Sequence, residues 1–214
     1  MLRTILVGLT ALLLVSACGG STAAAAKGPT AASVAVQPGD LPGGMTKCDL
    51  SGDIDRFLNT SKTKDPNTYT STKAEWDAAQ KAGATAAYTA FYADSAAHCT
   101  NLESSTSDIS AATYKLVVNF VIQFKDEASA AKGYTTETIF GFSASSLKSG
   151  GAPVQEGAVT GLAPNSIVLN LSVSNQSFYV AVWQHKVFMV ILAVLNIDTT
   201  ISKKIATAEN SRIK

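Results

Sequence analysis

Residues 166–195 read SIVLNLSVSNQSFYVAVWQHKVFMVILAVL, and the fold is decided by the alternation inside this stretch. Ile167, Leu169, Leu171 and Val173 alternate with Ser166, Asn170, Ser172 and Ser174, which predicts a strand with one buried and one wet face. Asn175-Gln176 makes a tight connection to a second strand, Phe178 to Trp183. After a turn at Gln184-His185-Lys186, the run from Val187 to Leu195 is apolar throughout. A helical membrane span needs about 20 apolar residues, so this run is read as a central strand covered on both faces. Three strands joined by hairpins predict an antiparallel sheet.

The same reading extends upstream. Tyr114, Leu116, Val118, Phe120, Ile122 and Phe124 share one face of a strand, and Lys115, Val117, Asn119, Val121 and Gln123 share the other, mixed face. The run from Ala84 to Ala93 is rich in alanine but carries Tyr88, Phe91 and Tyr92, and is read as a strand. Ile54, Phe57 and Leu58 mark a short helix, and Asp65-Pro66-Asn67 a turn. Thr72-Lys73-Ala74-Glu75 fits a capping box, opening a helix with Trp76, Ala79 and Ala82 on one side and Gly83 as its stop. Asp126 caps a helix to about Thr138, weakened by Gly133. Residues 141–157 are read as a long Gly/Ser-rich loop, with a short strand at Val154 to Val159. Asp198 or Thr199 caps a final helix with Ile201, Ile205 and Ala208 inward and Arg212 and Lys214 at its negative end. The order predicts one α+β domain over 39–214, an antiparallel sheet flanked by helices.

The 214 residues carry a formal charge of +1, with 46% hydrophobic and only 15% charged side chains. That composition argues against a disordered chain and against a basic footprint for nucleic acid. The first residues have a different logic. Arg3 gives a positive start, and Ile5 to Val15 is an apolar run of secretory length, too short to span a bilayer. It ends in Val15-Ser16-Ala17-Cys18-Gly19, an aliphatic residue and two small ones before a cysteine. Small side chains admit a peptidase to the backbone, and the Cys18 thiol can form the thioether of a diacylglycerol. Residues 1–17 are therefore read as a lipoprotein signal peptide and Cys18 as the site of acylation, palmitate included. Each buried methylene contributes roughly 0.8 kcal/mol to such an anchor. Cleavage also removes Arg3, so the 17 Lys and Arg become 16, equal to the 16 Asp and Glu. With no polybasic flank, lipid alone holds the protein on the membrane, facing the extracytoplasmic side. Residues 18–38, mostly small and with Lys27 as their one charge, are read as a flexible tether.

An exported protein meets oxidising conditions, so Cys48 and Cys99 are expected to form a disulfide; two separate structural thiols are the alternative. Neither sits in a CxxC motif, and the pair supplies too few ligands for a metal. Ser129…Lys132 and Ser145…Lys148 both match SxxK, without the KTG or SDN partners of a serine acyltransferase. There is no GxSxG, HExxH, P-loop or dinucleotide fingerprint. His98 and His185 stand outside any recognisable triad. Asp49, Asp53 and Asp55 do not have the spacing of a calcium loop and fit a solvated helix start. No catalytic residue, metal or cofactor is assigned. The aromatics Trp76, Tyr88, Tyr92 and Trp183 are the candidates for lining an apolar pocket, with a purely structural core as the competing reading.

Gly39-Asp40-Leu41-Pro42-Gly43-Gly44-Met45, Cys48, Trp76, Cys99, Val118 to Phe124 followed by Lys125-Asp126-Glu127-Ala128, Gly161-Leu162-Ala163-Pro164-Asn165-Ser166, Val180 to Gln184, and Ala208 to Ile213 together carry a family resemblance. Over roughly 38–213 the chain resembles small exported lipoproteins of high-GC Gram-positive bacteria. Its layout is similar to the extracytoplasmic sensor domains of their serine/threonine kinases. A PsbP-like α/β sandwich is a second comparison. The turn at Gln184-His185-Lys186 departs from the Arg/Gly-Asn pattern of the family. The resemblance implies an antiparallel sheet flanked by helices and a cleft, with no catalytic residue to carry over. The expected function is a membrane-anchored, non-enzymatic ligand-binding or sensor domain for a small apolar or envelope-derived molecule. The alternatives are a structural or accessory lipoprotein contacting another envelope protein and, last, an envelope hydrolase.

Overall fold

The computed structural model describes residues 28–104, 112–136, 141–173 and 175–214. Cys18 and the signal peptide lie outside the described residues. Along the chain the elements are α1 (Ala31–Val34), β1 (Thr46–Lys47), β2 (Gly52–Asp53), α2 (Ile54–Lys64), α3 (Pro66–Lys81), β3 (Ala84–Ala93), α4 (Ala96–Leu102), β4 (Leu116–Phe124), α5 (Glu127–Thr136), α6 (Ala144–Ser149), β5 (Val154–Glu156), β6 (Asn165–Val173), β7 (Gln176–His185), β8 (Phe188–Leu195) and α7 (Thr199–Ser211). The strands form one antiparallel sheet in the order β1-β3-β4-β8-β7-β6-β5, with β2 also on β3. The predicted α+β class is the observed one. The last three strands are a meander whose third member, β8, pairs with β4 at the centre. Among the described residues no helix is long and apolar enough to cross a membrane.

Period two explains why the central strands lie where they do. In β4, Leu116, Val118, Phe120, Ile122 and Phe124 enter one core, and Val117 and Val121 enter the other. In β8 the split is Met189, Ile191, Ala193 and Leu195 against Phe188, Val190, Leu192 and Val194. A strand apolar on both faces requires cover on both. Phe57 of α2, Trp76 of α3, Ala130 of α5 and Leu147 of α6 pack on the first face. Ala31 and Val34 of α1 and Ile205 and Ala206 of α7 pack on the second. Gly133 permits the close approach of α5, because a Cβ there would stand 2.5 Å from the Phe124 ring.

Several boundaries differ from the sequence reading, each for a local reason. α3 starts two turns before Thr72: Asp65 accepts a hydrogen bond from the Thr68 N–H at 3.2 Å, and Pro66 takes the first helical position, where it loses no hydrogen bond. Asp-Pro is thus a helix start here, not a turn, and Thr72 is buried inside the helix instead of capping it. The loop read over 141–157 contains α6, opened by a Ser143/Ser146 capping box. β7 runs through His185, and the turn is Lys186-Val187, with Lys186 at φ +50°. The wet face of β6 applies only to its far end. There Asn170 and Ser172 are exposed, and past the last residue paired with β5 so is Val173 of the face read as buried, whereas Ser166 and Val168 on the wet side are both buried.

The tether reading is corrected for its described part. Ala31, Val34, Ala35 and Val36 are buried against the sheet. Asn119 explains the docking. Its Oδ1 accepts a hydrogen bond from the Val36 N–H at 3.0 Å, and its Nδ2 donates to the Ile191 carbonyl at 3.2 Å and to Glu209 Oε1 at 2.9 Å. The Tyr92 hydroxyl donates to the Val36 carbonyl at 3.0 Å. Arg212 does not simply face the end of the α7 dipole. It donates from Nε to the Val34 carbonyl and from Nη2 to the Ala35 carbonyl, and its fork holds both oxygens of Asp40 at 3.0 and 2.8 Å. The inward face of α7 is Ser202, Ile205, Ala206 and Glu209, rotated from the Ile201/Ile205/Ala208 stripe by this polar anchor.

Burial drives the Glu209 carboxyl well above its ordinary range, and Asp40 pushes the same way; the Asn119 hydrogen bond and Arg212 oppose them. A group whose folded-state pKa is raised gives its full stabilisation below the unfolded value and loses it as pH rises toward the folded one. Glu209→Gln keeps an acceptor for Asn119 and cannot ionise. It is expected to melt at least about 3 °C above the wild type at pH 8, the response of a domain this size to roughly 1 kcal/mol, and the gap is expected to close toward pH 4 in thermal melts.

Candidate functional site

The edge of the sheet beside β3 is built from two short strands and the turn between them. β1 pairs Lys47 with Tyr92, and β2 pairs Gly52 with Thr89 and Asp53 with Tyr88. Between them the chain leaves the ladder, so its backbone groups need other partners. The Cys48 N–H donates to the Phe91 carbonyl at 2.9 Å. Ser51 Oγ donates to the same carbonyl at 3.1 Å and accepts from the Phe91 N–H at 2.9 Å. Thr89 Oγ1 donates to the Leu50 carbonyl at 2.9 Å. Cys48 is joined to Cys99 of α4 across 51 residues, the pairing expected from the sequence. Side-chain hydrogen bonds and one covalent bond therefore fix a segment only a few residues long.

This fixed segment forms one side of an open cavity of about 260 Å³ lined by Lys47, Cys48, Asp49, Ser51, Gly52, Arg56 and Tyr88. Lys47 Nζ donates to the Tyr88 hydroxyl at 3.0 Å. Asp53 caps α2, accepting from the Arg56 N–H at 2.8 Å, which sets the first turn and the root of the Arg56 side chain. Gly52, at φ +156°, lies under that side chain: a Cβ would stand 2.7 Å from Arg56 Cδ. Glycine here lets the guanidinium stem cross the backbone. Two cations and one carboxylate line the cavity, so its walls are net positive.

The sequence-derived candidates do not share this site. Trp76 lies in the core on one face of the sheet, whereas Tyr92 and Trp183 lie in the core on the other. Tyr88 alone of the four reaches the cavity. The Tyr92 hydroxyl is pushed up to about 12, by burial first, and is spent on Val36. Of the three aspartates, Asp49 lines the cavity and Asp53 caps α2, and among the described residues no cluster of three His, Cys, Asp or Glu could hold a metal. Lys148 of the second SxxK pairs with Glu156 at 2.5 Å. His98 Nδ1 meets Asp94 Oδ1 at 2.5 Å, and its ring stacks on Tyr114 with centroids 4.0 Å apart. The Asp94 carboxyl is held below its usual range by that histidine and by the Lys115 N–H, which outweigh its desolvation. His185 meets Asn210 at 2.9 Å. Lys47 and Arg56 were not singled out by sequence reasoning. The usable signal was a glycine and a helix-capping aspartate placed just before an arginine.

No protein-family model matches this chain, and no curated protein matches its sequence. A solved structure with similarity is the crystal structure of the extracellular domain of PknH from Mycobacterium tuberculosis. It is 14% identical with a TM-score of 0.41, over 62% of this chain and 66% of that one. The chain thus spans just under two thirds of that domain's length.

The covalent closure from Cys48 to Cys99 is expected to stabilise the fold by about 4 kcal/mol through the loop it removes from the unfolded state. Replacing both cysteines by alanine is expected to lower the urea midpoint accordingly. A midpoint unchanged in the double variant would show that the hydrogen bonds of Ser51 and Thr89 hold the edge alone.

Proposed function

We propose that this chain is a lipid-anchored extracytoplasmic protein, cleaved before Cys18 and acylated there, whose folded part works as a non-enzymatic binding or sensor domain. The carrying observation is Val15-Ser16-Ala17-Cys18 directly after an apolar run of secretory length. The Cys48–Cys99 disulfide supports it, because such bonds persist in oxidising compartments. The docked N-terminal segment adds a length limit. Nine residues lie between Cys18 and Gly28, and the ten steps from one to the other span at most roughly 35 Å, which keeps the domain close to the bilayer.

The binding reading is favoured over the accessory one by the surface. A contiguous exposed apolar patch is one mark of a contact surface. Among the described residues the large exposed hydrophobics are Val159 and Val173, two single side chains on different elements. The one cavity described above has polar, charged walls, so a small apolar ligand is the less favoured occupant.

In a bacterial host with lipoprotein processing, the wild type is expected to incorporate labelled palmitate, migrate at the processed mass and partition into detergent. Cys18→Ser is expected to lose the label and remain unprocessed. Wild type recovered unlabelled from cytosol with two free thiols at Cys48 and Cys99 would defeat the proposal.

A further inference from the structure

We infer that the cavity between β1, β2 and the start of α2 binds an oxyanion, a carboxylate or a phosphate monoester, carried by a small hydrophilic molecule or by the end of a longer one. The inference rests on the reading of the domain as a binding module and names the chemistry of its ligand.

Three observations carry it. The first is charge without a carboxylate partner, Lys47 Nζ donating to the Tyr88 hydroxyl and lying 5.5 Å from the centre of that ring. Ion pairs among the described residues include Lys64–Glu103, Lys73–Asp77, His98–Asp94, Lys148–Glu156 and Arg212–Asp40. Lys47 and Arg56 line one cavity and belong to none of them. Asp49, on the same lining, offsets one of the two charges and leaves the walls net positive. Arginine presents a planar fork matched to two oxygens of an oxyanion, and lysine adds a point charge.

The second observation is positioning. Lys47 is directed by the Tyr88 hydroxyl, and the Arg56 stem passes through the space that Gly52 leaves, its root set by the Asp53 cap on the Arg56 backbone N–H. The wall between them is held by the Cys48–Cys99 bond and by the Ser51 and Thr89 hydrogen bonds. A wall already fixed lowers the ordering cost of binding. The third is size. Drug-sized ligands fill pockets of about 300–1,000 Å³. At about 260 Å³, open on one side, this one takes a small charged group and leaves the remainder of a larger molecule in solvent.

The test is a titration of the full chain, uniformly ¹⁵N-labelled and purified in neutral detergent, with inorganic phosphate and, separately, with acetate. At least one of the two is expected to give saturable shifts centred on Lys47, Ser51, Gly52 and Arg56, and the arm that responds tells phosphate from carboxylate. Arg56→Gln and Lys47→Gln are each expected to weaken binding at least fivefold, and Lys203→Gln, on exposed α7, to leave it unchanged. Gly52→Ala keeps both charges but displaces Arg56, and is expected to weaken binding by a similar factor with the disulfide intact. Shifts spread over exposed lysines, an Arg56→Gln or Gly52→Ala protein that binds as the wild type does, or no response to either anion would overturn the inference. Because the titration reads only the purified chain, its failure leaves the anchoring result standing, and failed acylation leaves the titration standing.

Discussion

The structure turns on one amide. Asn119 sits in β4, near the middle of the sheet, on a face that is otherwise packed with valine and aromatic side chains. A buried amide without partners would cost roughly 1–3 kcal/mol for each group left unmade. Its oxygen takes the Val36 N–H, and its nitrogen serves the Ile191 carbonyl and Glu209. These partners come from the start of the described chain, the neighbouring strand and the last helix. The second face is therefore closed only when both α1 and α7 are in place. Buried networks of this kind strengthen a fold when all members are satisfied. Here one member, Glu209 Oε2, lacks a partner among the described residues, which is where the cost of the arrangement is concentrated.

The two faces divide the work. The face under α2, α3, α5 and α6 is closed by aromatic packing: Phe57, Phe91 and Phe120 meet with ring centroids 5.8–6.0 Å apart, one pair stacked and two edge-on. The face under α1 and α7 is closed by apolar packing around a polar centre. The edge at β1 and β2 is neither. It is too short to bury much area and is held by the disulfide and by hydroxyl groups bonding to backbone. An edge held in this way leaves charged side chains facing solvent from fixed roots, which suits recognition better than it suits a core.

Much of this was legible in the sequence. The alternation in Tyr114 to Phe124 assigns the residues of β4 to their two faces, and the uninterrupted apolar run ending at Leu195 identifies the central strand, because burial on one or both faces leaves a direct mark on residue order. The helix from Pro66 was misread because its first two turns are polar and Asp-Pro serves turn and helix start alike. Residues 28–38 looked like spacer because a docked segment of small side chains has the composition of a free one; only the long-range partners Asn119 and Arg212 separate the two cases. The aromatic candidates failed as a group for a related reason. Trp76 and Trp183 are both suited to a pocket by type, but the sheet stands between them. The cavity at Lys47 and Arg56 depends on a strand pairing and on a missing Cβ, and neither is visible in local composition.

Arg212 clasps Val34, Ala35 and Asp40, so the beginning and the end of the folded chain meet at one pole of the molecule. Any polypeptide continued past Lys214 would emerge beside the point where the N-terminal segment comes in. A short linker could join the two ends and new termini could be opened at the Lys186-Val187 turn, giving a circularly permuted protein with every strand of the sheet intact.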